Sequence, residues 1–160
     1  MTVHASCVDK ARSPGAYDDM AMMAYLRRLL ARFPRNPVAA PASNRFAGTV
    51  IRAGACEFLA TTALGEVRGR LADPEAEPAD GASITVQIPA ACIRMDMTPP
   101  EENAFAGRVI SCVAEGERFA VRFRTESGVE LDVSSEEMPP ECESDECLYA
   151  WVFPEDVVGG

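Results

Sequence analysis

Seven consecutive residues, Glu141-Cys142-Glu143-Ser144-Asp145-Glu146-Cys147, bring two thiols and four carboxylates together, the donor types that hold divalent metals. A structural zinc site needs about four ligands, commonly with cysteines about two to four residues apart. The C-x₄-C pair offers two ligands at the edge of that spacing, and the sole histidine, His4, stands far off in the sequence. A solvated acidic turn is the simpler reading, and no metal is expected. Nucleophilic catalysis lacks a base for the same reason, because neither a Ser-His-Asp nor a Cys-His pair has a histidine in a patterned segment. Carboxylate pairs such as Glu136-Glu137 fall in loops where hydration is their default role. The expectation is a protein with no catalytic residue, no metal and no cofactor.

Non-covalent binding is the chemistry left. Donors at Ser43, Asn44, Asn103, Arg108 and Ser111 suit an oxyanion, although Asn44 and Asn103 equally suit strand starts, where short amide side chains form turns. Asp73, Glu75, Glu77 and Asp80 in one loop, with Glu136, Glu137, Glu141 and Glu143 in another, suit a cation such as a polyamine, or simply keep the surface soluble. Charge is divided unevenly along the chain. Residues 1–43 hold six basic against three acidic side chains, a net of +3, whereas residues 44–160 hold nine arginines against 22 acids, a net of −13. An acidic body repels phosphate backbones, so no nucleic-acid partner is expected, and its long-range field favours cations over anions.

The elements that must position these residues are mostly strands. Residues 1–16 carry Ser, Gly, Pro and scattered charge without periodicity, a disordered lead-in. Over 17–35 the stripe Met22, Met23, Leu26, Leu29, Leu30 and Phe33 predicts an amphipathic α-helix, with Asp18 and Asp19 at its start and Arg27, Arg28 and Arg32 near its end matching the helix dipole. Its apolar face suits docking on the β body, or a partner helix or anionic membrane surface. Pro34 and Pro37 stop it, and residues 36–43 read as a linker. Alternating apolar residues then predict strands over 46–51, 57–62, 66–71 and 83–88, with a short one over 92–95, and again over 105–113, 118–124, 129–134 and 148–153.

Two of these strands nearly repeat each other. Asn44-Arg45-Phe46-Ala47-Gly48-Thr49-Val50-Ile51 and Asn103-Ala104-Phe105-Ala106-Gly107-Arg108-Val109-Ile110 share six of eight residues. The echo continues downstream, where Ile84 to Pro89 answers Leu148 to Pro154. A unit of this size is too small to build a strong core alone, which predicts two copies, 44–98 and 99–160, packed as one body. Short, curved, five-stranded units are what an OB-type barrel requires. The fold expected is mainly β, with tandem OB-like lobes packed together behind one helix. With no apolar run of about 18 residues and no secretory h-region, the expectation is a cytoplasmic chain with reduced thiols and no membrane insertion.

The order of these motifs, closed by Trp151-Val152-Phe153-Pro154-Glu155-Asp156-Val157, resembles the C-terminal TOBE region of ATP-binding-cassette importer ATPases, on the spermidine/putrescine or ferric-iron branch. That resemblance covers about residues 44–160. It implies paired OB-like (TOBE) lobes that act by protein contacts with a transporter ATPase subunit, or with a second copy, at the cytoplasmic face of an importer complex. It implies Asn44, Asn103, Arg108, Trp151, Glu155 and Asp156 as ligand or partner contacts. Related tandem OB units in molybdate-responsive proteins hold molybdate or tungstate, so a small-ligand role stands beside the accessory one. The family's isoleucine-arginine-proline-glutamate close is replaced by Ile88-Pro89-Ala90-Ala91. No Walker A loop exists either, since the only lysine is Lys10, and ATP hydrolysis by that machinery is not expected.

Overall fold

Alternation of buried and exposed side chains makes the strands, and the strands sort into two sheets. The structure, a computed structural model, describes residues 43–140 and 148–160. The helix and lead-in expected over 1–35, most of the linker, and the acidic cysteine turn over 141–147 lie outside the described residues. Among the described residues, no helix is long and apolar enough to cross a membrane.

The strands are β1 (Ser43–Gly54), β2 (Glu57–Thr62), β3 (Gly65–Leu71), β4 (Ser83–Pro89), β5 (Arg94–Asp96), β6 (Ala104–Glu115), β7 (Arg118–Thr125), β8 (Glu130–Ser135), β9 (Leu148–Trp151) and β10 (Val158–Gly159). Period-two burial runs through them. Phe58 and Ala60 on β2, Val67 and Leu71 on β3, and Ile84, Val86 and Ile88 on β4 fill one core. Phe105, Val121, Phe123, Leu131, Val133 and Ala150 fill the other. The predicted mainly-β architecture of OB-like lobes is thus observed, with strand ends shifted by a few residues.

The first sheet closes into a barrel in the order β1-β2-β3-β10-β4, and the second runs β5-β9-β6-β7-β8. The duplication is visible in the register. The β1/β2 ladder slips between Val50 and Arg52, and the β6/β7 ladder slips at the matching place, between Val109 and Ser111. Superposing Asn44 on Asn103 therefore equates β1 with β6, β2 with β7, β3 with β8 and β4 with β9.

Each copy gives its last strand to the other lobe. After β4, the 3-10 turn Ala90–Cys92 carries the chain to β5, which pairs with β9 of the second sheet. After β9, the 3-10 turn Pro154–Asp156 carries it to β10, which pairs with β3 and β4 of the first barrel. Ile93 and Val157, one residue before each exchanged strand, are both buried. Because each lobe is completed by a strand from the other half of the chain, the lobes must fold as one cooperative body.

Candidate functional site

The two lobes differ at one seam. In the first, β10 lies parallel to β3, pairing Val158 with Arg70 and Gly159 with Leu71. Arg70 N–H donates to Val157 O at 2.8 Å and Ala72 N–H to Gly159 O at 2.8 Å. In the second, the matching strands β5 and β8 are the two edges of the sheet and share no ladder. By register, Arg94 and Met95 stand for Val158 and Gly159, and Ser134 and Ser135 stand for Arg70 and Leu71.

Side-chain size accounts for the difference. A Cβ on Gly69 would lie 2.7 Å from Val157 O, and one on Gly159 would lie 2.5 Å from Phe58 Cε1 and 2.6 Å from Ile84 Cδ1. Close approach of β3 and β10 thus requires glycine at both places. The matching residues in the second lobe are Val133 and Met95. Neither is glycine, so the close approach seen in the first lobe is not available there, and β8 packs against the turn Ala90–Cys92 that leads into β5.

A cavity of about 520 Å³ occupies the open seam, lined by Arg94, Met95, Arg118, Ser134, Ser135 and Trp151, with Asp96, Glu136 and Glu137 among the other lining residues. Arg94, the first residue of β5, pairs with Trp151 of β9. Its guanidinium carbon lies 5.5 Å from the Trp151 ring centroid and 5.2 Å from that of Phe153. Those rings meet edge to face, 5.0 Å apart at 89°. This arrangement fixes a cation against aromatic faces. Among the described residues, Arg94 makes no ion pair.

Trp151 contributes a second feature. Its Nε1–H is buried and has no hydrogen-bond partner among the described residues. A buried donor left unmatched costs about 1–3 kcal/mol. Arg118 is held differently, with Nε donating to Ser134 Oγ at 2.9 Å, Nη2 to Ser134 O at 3.0 Å and Nη1 to Glu136 Oε1 at 2.9 Å. Ser135 Oγ accepts from Glu137 N–H at 3.1 Å. Each hydroxyl accepts one bond and keeps its own hydrogen to donate. The cavity is therefore lined by residues that carry guanidinium groups, two hydroxyls and an indole ring, with the indole N–H itself buried. A second hollow, of about 420 Å³ at the β1–β2 turn, contains Arg52 and Arg68, but Arg68 is engaged by Glu102.

The residues singled out in the sequence go to several places. Asn44 is buried, donates from Nδ2 to Asp132 O at 2.9 Å and to Ile88 O at 3.3 Å, and accepts from Asp132 N–H at 2.8 Å. Asn103 is also buried, donating to Arg68 O at 2.8 Å and accepting from Arg68 N–H at 2.9 Å. Both side chains bind backbone across the lobe junction. Arg108 is exposed on β6, opposite Arg124 and about four residues, or roughly 13 Å, along the strand from the Ala104 that pairs with Trp151. Glu155 is exposed and Asp156 half-buried in the turn Pro154–Asp156. Burial pushes the Cys92 thiol up; the Asp156 carboxylate raises it further and the Arg94 guanidinium opposes both. Of the six, Trp151 alone lines the seam cavity. Arg94, Arg118, Ser134 and Ser135 escaped the sequence reading; aligning the two copies beyond Pro89 and Pro154 would have brought out Arg94. Among the described residues, no three His, Cys, Asp or Glu side chains form a metal-binding group.

Two OB-type lobes, each with its own core and each completed by the other's last strand, define a TOBE-like fold. The solved structure of the cytoplasmic molybdate-binding protein ModG, with molybdate bound, is similar to it, with a TM-score of 0.57 and 15% identity, covering 78% of this chain and 99% of that one. At that identity the likeness is one of fold. No protein-family model and no curated protein sequence matches the chain.

Proposed function

We propose that this chain is a non-catalytic, cytoplasmic TOBE-type module that binds a small ligand through an oxyanion group held in the seam of its second lobe. The observation that carries this reading is Arg94, which makes no ion pair among the described residues and is set over the Trp151 ring at one wall of that cavity. Charge-assisted donors of this kind favour carboxylate or tetraoxoanion oxygens. The fold of ModG, a molybdate-binding protein, supports the same class of ligand. The field of the acidic body opposes an anion at long range, but a fixed guanidinium and aligned donors act at contact distance, where screening is weakest. Docking on an importer ATPase rests on the resemblance carried by residues 44–50, 81–88, 103–109 and 151–157 and ranks second.

Trp151 is the only tryptophan, so its emission reports on this cavity alone. Titrating the 160-residue chain with molybdate, tungstate, sulfate and acetate should give a saturable fluorescence change with at least one of them. Binding at about 100 times the dissociation constant should also add about 2.7 kcal/mol to the unfolding free energy. Arg94→Gln should weaken that binding at least tenfold. Equal binding by the variant and the parent would remove the seam from the account.

A further inference from the structure

The seam is polarised along its length. Arg94 and Asp96 are two residues apart on β5, so their side chains leave the same face about 7 Å apart. By the register of the closed seam, Ser134 lies across from Arg94, and Glu136 lies across from Asp96. Arg94 and Ser134, beside the Trp151 ring, make one end a donor end. Asp96, Glu136 and Glu137 make the other acidic, and Arg118 neutralises only Glu136. A bare tetraoxoanion would satisfy the first end and leave the second facing only solvent. It would also fill a small part of a cavity whose volume is of the size that encloses drug-like ligands, about 300–1,000 Å³.

Both walls are strand edges. The closed seam of the first lobe shows what such edges do when they meet, forming the backbone bonds Arg70 N–H to Val157 O and Ala72 N–H to Gly159 O. Across the open seam, the facing sides of β5 and β8 carry no ladder among the described residues, and Arg118 Nη2 caps the Ser134 carbonyl there. Edges of that kind accept an added extended chain.

From these two observations, and resting on the oxyanion reading above, we infer that the ligand is a short extended peptide, or a zwitterion of peptide-like form, lying between β5 and β8. Its terminal carboxylate sits at Arg94, and its terminal ammonium at Asp96, beside the Arg118–Glu136 pair. That polarity runs the peptide antiparallel to β5, whose own direction is from Arg94 to Asp96, and equally antiparallel to β8. At about 3.3 Å per residue, two or three residues span the separation between the charged ends.

The test uses tri-alanine, its N-acetylated form, its C-amidated form, acetate and molybdate as probes, with Trp151 emission and calorimetry as readouts. Tri-alanine should bind at least tenfold more tightly than acetate or molybdate, and blocking either terminus should cost at least tenfold. The variants assign the ends. In Arg94→Gln the free acid and the amide should bind alike, and in Asp96→Asn the free amine and the acetylated form should bind more nearly alike than in the parent. Tri-alanine no tighter than acetate, with acetate or molybdate still dependent on Arg94, overturns the peptide and leaves the oxyanion reading standing. No binding of any probe overturns both.

Discussion

The carboxamide of Asn103 grips the backbone of Arg68 at both ends, taking its N–H at 2.9 Å and giving to its C=O at 2.8 Å. Asn44 does the same to Asp132, at 2.8 and 2.9 Å. Asn44 corresponds to Asn103, and Arg68 to Asp132, in the register of the two copies. The repeated asparagine is thus a reciprocal clasp, each copy holding the third strand of the other. An amide side chain presents a donor N–H and an acceptor O side by side, which suits a backbone N–H and C=O of one residue together.

Cutting either clasp should destabilise the whole body without touching the seam. Asn44→Ala leaves buried backbone groups unmatched and should cost about 2–4 kcal/mol. Asn103 also adopts a left-handed backbone, φ +49°. Asparagine tolerates that conformation better than alanine, which should make Asn103→Ala worse by about a further 1 kcal/mol. Urea unfolding monitored by circular dichroism reads both. Losses below about 0.5 kcal/mol would show that apolar packing alone joins the lobes.

The glycines of the closed seam should be intolerant of any side chain. Gly69→Ala sets a methyl against Val157 O, and Gly159→Ala sets one against Phe58 and Ile84. Each should cost about 1–3 kcal/mol by overpacking. Hydrogen exchange gives a local readout. In the parent, the Arg70 and Ala72 amides, bonded across the seam, should exchange far more slowly than Ser134 and Glu136, their counterparts on the open side. In Gly159→Ala the Arg70 and Ala72 amides should accelerate toward the open-side rates. Unchanged protection would show that β10 holds by something other than close backbone approach.

Strand alternation and the duplicated Asn-x-Phe-Ala-Gly-x-Val-Ile frame made the two β units readable from sequence, because period-two burial is a local property. The exchange of strands was not readable. A short strand over 92–95 was expected, but neither its partner nor that of Val158–Gly159, only two residues long, is signalled locally, because both partners lie far away in sequence. The seam was hidden for a related reason. Its opening depends on a pair of differences, Val133 for Gly69 and Met95 for Gly159, which acquire meaning only when the ladders set the copies in register. Trp151 was noticed for its motif, whereas Arg94 gains its role from the aromatic rings that pairing with β9 places beneath it.

Buried thiols supply a test of the second core against pH. Cys56 is exposed, Cys92 half-buried and Cys112 buried, and none of the three is in a disulfide. Burial pushes the Cys112 thiol from 9.0 up to about 11. The folded state therefore keeps its proton where the unfolded chain has lost it. The contribution to stability is fully present below pH 9 and declines as pH rises from about 9 toward about 11, by at most about 1.4 kcal/mol per pH unit for one proton. Denaturant midpoints across that range should fall more steeply for the parent than for Cys112→Ala, measured in parallel so that other alkaline titrations cancel. Iodoacetamide at pH 8 should label Cys56 first and leave Cys112 unmodified until the protein unfolds. Early labelling of Cys112, with parallel pH slopes in parent and variant, would mean that the second lobe opens its core around β6 in the native state.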